Sequence, residues 1–212
     1  MSHACATTGH MPRVVDHRQR RDELIDAVWQ LIIERGLPGI TIRAVAERSG
    51  WSSGAVRHYL PTRDAILDAA AQRVGELIEQ RVRAVDVTAP PLEVLSGVLI
   101  AVLPTDEASL RASEVWLAFV GQAVSDRAIA DAQGILYRDL NRLLVDLLTG
   151  VAAIGYHLDA GPDATASELQ ALVDGLTVHV LLGRVEPARA EAVLRAAVHR
   201  LVTRAGPPDL LP

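Results

Sequence analysis

Apolar residues recur along this chain at helical spacing and do not alternate at the two-residue spacing of a strand, so the pattern predicts an all-α fold. The first stripe, Ile25, Val28, Leu31 and Ile32, predicts a helix from about residue 16 to 35 that Gly36 ends. Two much shorter patterns follow. Thr41 stands at an N-cap before Ile42, Val45 and Ala46, and Gly50 is the residue there that turns left-handed without a Cβ clash. Ser52 caps the next start, Val56 and Leu60 give it a buried side, and Pro61 forbids continuation. Thr62 caps a longer helix whose apolar face, Ile66, Leu67, Ala70, Val74, Leu77 and Ile78, runs to about Arg83. Paired prolines at 90 and 91 mark a break. Beyond it the spacing predicts helices over 91–103, 106–125, 126–153, 164–182 and 187–203, with Gly134 a candidate interruption and periodicity lost over 150–162.

Two short helices joined by a glycine turn match the helix-turn-helix, whose second helix enters the DNA major groove. With Val56 and Leu60 inward, Ser53, Arg57, His58 and Tyr59 are left on the groove side, and Gly54 lets the backbone come close. Arginine pairs with a guanine edge or a phosphate, and Ser and Tyr hydroxyls reach phosphates. Each of these residues alone is more often an ordinary solvated helix residue. Caps, turn glycine, terminating proline and polar face all agreeing in one register is what raises the pattern above chance.

The run T-x-R-x-x-A-x-x-S-G-W-S-x-G-A-V-R-H-Y-L-P-T-R-D-A-I-L from Thr41 to Leu67 resembles the N-terminal domain of the TetR family of bacterial transcriptional regulators, and R-H-Y at 57–59 is similar to its BetI-like branch. Many members carry an aromatic residue where Arg57 stands and Phe where Leu60 stands, which leaves the operator sequence open. The resemblance implies that Thr41, Arg43, Ser53, Tyr59 and Arg63 lie near the phosphates and that Gly54, Ala55, Arg57 and His58 lie nearest the bases, with Ser52 also counted among the DNA-binding residues. W-L-A-F-V-G-Q-A at 116–123 and L-V-D-G-L at 172–176 look like the ligand-binding domain of the same branch. The implied organisation is a tail (1–15), a DNA-binding domain (16–61), a connecting helix (62–84), an effector-binding and dimerisation domain (85–204) and a second tail (205–212).

Charge supports this division. Through Ile66 nine arginines stand against seven acidic residues, and after it twelve stand against nineteen, giving the net −5. Net acidity therefore sits away from the proposed reader. Arg18, Arg20 and Arg21 are read equally well as a solvated basic stretch or as contacts along the DNA backbone. Cys5 is the only cysteine, which excludes an intrachain disulfide and fits a reducing cytoplasm. No run nears the roughly 20 apolar residues that cross a bilayer, so no membrane partner is expected.

An apolar cavity between helices is where a helical bundle takes a small molecule. The large or polar residues at inward-looking positions are Trp116, Phe119, Gln122, Tyr137, Asp174 and His179. For Trp116 and Phe119 simple core packing is the stronger reading, and Asp174 needs a partner if buried. In the resembled family the last two helices form a four-helix interface with their twin. The residues expected there are Leu172, Leu176, Val180, Val193, Leu194, Ala197 and Leu201. The function implied is a homodimeric repressor that holds a palindromic double-stranded operator and leaves it when an effector of unknown identity binds. The rival readings are an enzyme and an effector-independent helical adaptor. For the enzyme, the histidines and carboxylates do not gather into H-E-x-x-H, G-x-S-x-G or a phosphate-binding glycine loop, and no cofactor or metal site is expected. For the adaptor, the deciding feature would be a cavity too small for any ligand.

Overall fold

A computed structural model describes residues 17–204. The two expected tails, with Cys5 and Asp16, lie outside the described residues. The described chain forms α1 (His17–Arg35), a single 3-10 turn (Leu37–Gly39), α2 (Ile42–Ser49), α3 (Ser53–Tyr59), α4 (Arg63–Arg83) and α5 (Pro91–Val102). It continues with α6 (Glu107–Ala123), α7 (Arg127–Ala153), α8 (Gly161–Leu181) and α9 (Pro187–Leu201). A two-residue antiparallel pair, β1 (Tyr156–His157) with β2 (Thr203–Arg204), fastens the α7–α8 connection to the chain beyond α9.

Local chemistry sets these boundaries. The hydroxyls of Thr41, Ser52 and Thr62 accept the backbone N–H of Ala44, Ala55 and Ala65 at 3.0, 3.1 and 3.1 Å, so α2, α3 and α4 each begin on a side-chain cap. Gly50 closes α2 with φ 73°, and Gly36 breaks the chain after α1 with φ 68°. Asp106 and Ser109 form a reciprocal capping box at the start of α6, and the Asp126 carboxylate accepts N–H groups at the start of α7. Helix α7 runs unbroken through Gly134. A lone glycine costs a helix about 1 kcal/mol, too little to interrupt 27 residues held by tertiary packing.

The buried side chains fall into two cores. The first joins Leu24, Val28 and Ile32 of α1, Val45 of α2, Val56 of α3 and Ile66, Ala70 and Val74 of α4. Ala112, Val115 and Phe119 of α6 belong to this same core. The second gathers Leu95 and Leu99 of α5, Leu144 and Leu148 of α7, Leu169 and Val173 of α8, and Leu194 and Val198 of α9. Helix α6 therefore leans on the N-terminal head, although it follows the proline break in sequence.

Four of the seven residues expected at a twin surface are spent inside the chain. Leu176, Val180, Leu194 and Ala197 are buried in the second core at 9, 8, 0 and 2% exposure, and Leu172, Val193 and Leu201 pack half-buried against it. What α8 and α9 turn outward includes a row of small residues, Ala171 and Gly175, then Ala188, Ala192 and Ala196, with Leu182 at the edge and Glu168, His179, Arg189, His199 and Arg200 also exposed on these helices. The reason is chain order. Helices α8 and α9 cover α5 and α7, so their largest side chains are spent on that contact.

Candidate DNA-reading face and ligand cavity

Helix α3 is positioned from beneath by Val56, fully buried, and by Leu60, which ends the helix in the core. That leaves Arg57, His58 and Gly54 exposed, with Ser53, Ala55 and Tyr59 half-buried beside them. Arg57 has no hydrogen-bond or ion-pair partner among the described residues, so its guanidinium is free for a base or phosphate. Thr41 and Ser52 accept N–H bonds as caps, yet each hydroxyl keeps its own proton to donate to an oxyanion. Arg43 is exposed and bridges only to Glu47 one turn on, at 3.0 Å.

An aromatic cluster flanks this helix. The Tyr59 hydroxyl lies 3.2 Å from Nδ1 of His17, and its ring meets Trp51 edge-on at 5.7 Å and His58 at 5.1 Å. The Arg20 guanidinium sits over the Trp51 ring at 5.3 Å. Arg20, Gly50, Trp51, Ser52, Ala55, His58 and Tyr59 line one shallow depression. Trp51 had no role in the sequence reading, because a tryptophan in a tight turn reads as core until Arg20 is seen stacked on it.

Arg63 is exposed at the start of α4 and also has a structural task. Its Nε and Nη2 donate to the carbonyls of Ile40 and Leu37 at 3.2 and 2.9 Å, tying the start of α4 to the connection before α2. Arg48 is likewise committed within the head, to Gln30 and Glu34 of α1, and this ion pair holds the Glu34 carboxyl below its ordinary value. Trp29 donates its indole N–H to the Ala70 carbonyl at 3.1 Å, and Arg73 reaches Asp22 at 2.8 Å. Helix α4 is thus bound to α1 along its first half.

The second half of α4 forms one wall of a cavity of about 60 Å³ at the seam between the two cores. That exceeds the roughly 10–15 Å³ needed to admit one water. Val74, Leu77 and Ile78 of α4 face Ala112 and Trp116 of α6, Tyr137 and Leu140 of α7, and Gln170, Asp174 and Thr177 of α8. Burial pushes the Asp174 carboxyl up to about 6, with the Tyr137 hydroxyl beside it pulling the other way. Burial and the neighbouring Asp174 charge raise the Tyr137 phenol, so Tyr137 stays a neutral donor. Gln170 donates to the Tyr137 carbonyl at 3.2 Å and accepts from Asn141 at 3.1 Å, which fixes α8 against α7 around the cavity.

Of the six residues expected here, Trp116, Tyr137 and Asp174 line the cavity. Phe119, three residues on from Trp116, is rotated by about 60° and buried in the head core. Gln122 and His179 are not brought to it; His179 stands on the exposed side of α8. Gln170 and Thr177 were missed because buried polar residues one turn either side of Asp174 show only as breaks in the apolar stripe. At the far end of α4, Arg81 donates to the Ala101 carbonyl at 2.8 Å and to Thr105 at 2.7 Å and pairs with Asp106, so the α4 terminus is tied to the end of α5 and the start of α6. Among the described residues no three His, Cys, Asp or Glu side chains gather as a metal site, and no helix is long and apolar enough to cross a membrane.

A helix-turn-helix head, a helix running from it to an internal cavity, and a second helical core behind define the class of ligand-responsive DNA-binding regulators. The comparisons with known proteins narrow this class. Residues 24–70 match the family model described as bacterial regulatory proteins, tetR family, and residues 91–203 match that of the BetI-type transcriptional repressor, C-terminal. The chain belongs to the TetR family of transcriptional regulators, with a BetI-type C-terminal domain. It is 34% identical to the HTH-type transcriptional regulator PksA of Bacillus subtilis, over 90% of this chain and 94% of that one. It is 32% identical to the HTH-type transcriptional regulator BetI of Burkholderia cenocepacia, over 78% and 84%. A transcriptional regulator of Saccharomonospora viridis, solved with choline, shares the fold with a TM-score of 0.77 at 24% identity, over 88% of this chain and all of that one. The relatives are DNA-binding regulators and not enzymes.

Proposed function

We propose that the chain is a repressor working as a homodimer, that Arg57 and His58 read bases in the operator major groove, and that a small organic cation in the cavity releases the DNA. The observation that carries the release is helix α4, whose first half is bonded into the head and whose second half walls the cavity. Its 21 residues span about 31 Å. A ligand that wedges Val74, Leu77 and Ile78 apart from Trp116 and Asp174 shifts the population toward one setting of α4 and hence of α3. Asp174 supplies a carboxylate, Tyr137 a neutral hydroxyl and Trp116 an aromatic face, a set suited to a cation with an apolar body. Choline, held by the Saccharomonospora regulator, belongs to that chemical class.

The dimer rests on the outward row of Ala171, Gly175, Ala188, Ala192 and Ala196, where small side chains let a second α8–α9 pair approach closely. Two heads on a two-fold axis then meet a pseudo-palindrome with half-sites about 34–36 Å apart. The test is fluorescence anisotropy on a duplex from the gene's own promoter, with sedimentation velocity at micromolar protein. A dimer that binds this duplex and lets go on addition of a small organic cation is the expected result. A monomer, or a complex indifferent to every cation that demonstrably binds the protein, contradicts the reading.

A further inference from the structure

Outside the helix-turn-helix itself, a cation is set against the flank of α3. Arg20, in the first turn of α1, is distant from α3 in sequence, yet its guanidinium sits over the Trp51 ring at 5.3 Å. Arg20 is exposed, and its N–H groups have no hydrogen-bond or ion-pair partner among the described residues. The stack is framed from both sides. Trp51, half-buried in the turn between α2 and α3, is met edge-on by Tyr59 at 5.7 Å, and the Tyr59 hydroxyl lies 3.2 Å from Nδ1 of His17. Asp22, half a turn beyond Arg20, is held by Arg73 of α4 at 2.8 Å. The start of α1 is thereby fixed beside α3, and Arg20 with it.

Three features decide what this cation is for. A guanidinium laid on an aromatic ring keeps its five N–H donors in its own plane, so the stack orients the donors without consuming them. The depression that Arg20 and Trp51 share with Ser52, His58 and Tyr59 has no carboxylate in its lining, so no acidic lining group competes for the charge. That depression also runs beside the exposed side of α3, where a duplex with its major groove on Arg57 and His58 brings the backbone of one strand.

We infer that Arg20 is a phosphate contact of the operator complex and that Trp51 is its positioning residue, holding the guanidinium at the α3 flank before DNA arrives. The inference rests on the reading that α3 enters the groove. A free arginine loses rotamer freedom when it clasps a phosphate; over Trp51 that freedom is already restricted, so less of the contact is offset by ordering. The contact carries no base information. It adds hold and register to the face that reads.

Equilibrium anisotropy of the full-length protein across a salt series, on its promoter duplex and on a scrambled duplex of equal length, tests this. Arg20→Ala is expected to weaken both duplexes by the same factor, roughly fivefold per head, and to lower the slope of log affinity against log salt by about 0.9 for each phosphate given up. Trp51→Leu weakens both roughly threefold per head, and Trp51→Phe, which keeps an aromatic face, restores most of that loss. In the Arg20→Ala background Trp51→Leu costs nothing further, a non-additivity that a tryptophan needed only for packing would not give. An unchanged salt slope in Arg20→Ala overturns the phosphate contact, as does a loss confined to the promoter duplex, which would make Arg20 a base reader. A Trp51→Leu loss that persists without Arg20 overturns the positioning role. If the parent protein holds both duplexes equally, the groove reading fails, while the salt slope on either duplex still reports on Arg20.

Discussion

The head and the body of this molecule are built from the same helical elements but differ in what their side chains are for. In the head, small polar residues are committed to backbone: Thr41, Ser52 and Thr62 each cap a helix, and Arg63 holds two carbonyls. In the body, polar residues are turned inward against one another: Tyr137, Asn141, Gln170 and Asp174 meet between α7 and α8. A reader of DNA needs an unyielding platform with free side chains above it. A sensor needs a polar interior that something else can enter. The contrast singles out α4, which belongs to both: its first half is bonded to α1 and its second half walls the cavity.

The strongest way to break the head is through its floor. Replacing Trp29 by Ala removes a buried indole and its bond to Ala70 and should cost about 3–5 kcal/mol, read as a fall in the denaturation midpoint. DNA binding should fail together with the fold. The next effect is confined to the surface: Arg57→Ala should weaken operator binding by about 1–3 kcal/mol and blur the preference for one base pair, with no change in thermal stability. If Arg57→Ala lowers affinity for scrambled DNA as much as for the operator, the side chain holds phosphate and not a base.

Two smaller perturbations address the link and the sensor. Arg81→Ala severs the end of α4 from Ala101, Thr105 and Asp106 and should leave operator affinity near the parent value while blunting its response to cations. In the cavity, the folded protein holds the Asp174 proton more tightly than the unfolded chain does, up to about pH 6. Its contribution to stability is therefore full at pH below the ordinary carboxylate range and declines as pH rises through about 6. Asp174→Asn should flatten the fall in thermal midpoint between pH 4 and 7, and cation affinity of the parent should rise over the same interval as the carboxylate forms. The mildest change is Gly134→Ala in α7, expected to add about 0.5–1 kcal/mol, since the new Cβ meets only the movable tip of Arg138, at 3.2 Å.

The difference between the halves also sets how much of each is legible in the sequence. The boundaries of α2 and α3 and the start of α4 each have a local cause in one or two adjacent residues, which is why α2, α3 and α4 begin directly after Thr41, Ser52 and Thr62 as expected. The family resemblance was legible there for the same reason. The two carbonyls that Arg63 holds were not legible, because Ile40 and Leu37 are more than twenty residues back along the chain. In the body, periodicity identified the helices but not their neighbours. It could not say that α6 turns Phe119 toward the head, or that Leu194 and Ala197 are sealed within the second core. Gly134 looked like a break because propensity is local, whereas the packing of α7 along α6 and α8 is not.

Regulation by this chain requires the α3 face to meet duplex DNA with sequence selectivity. The direct measurement is equilibrium anisotropy of the full-length protein on its own promoter duplex and on a scrambled duplex of equal length, in moderate salt. Specific sites are typically held at least about a thousandfold more tightly than non-specific DNA, and a preference of that order is predicted. Equal affinity for both duplexes would contradict it.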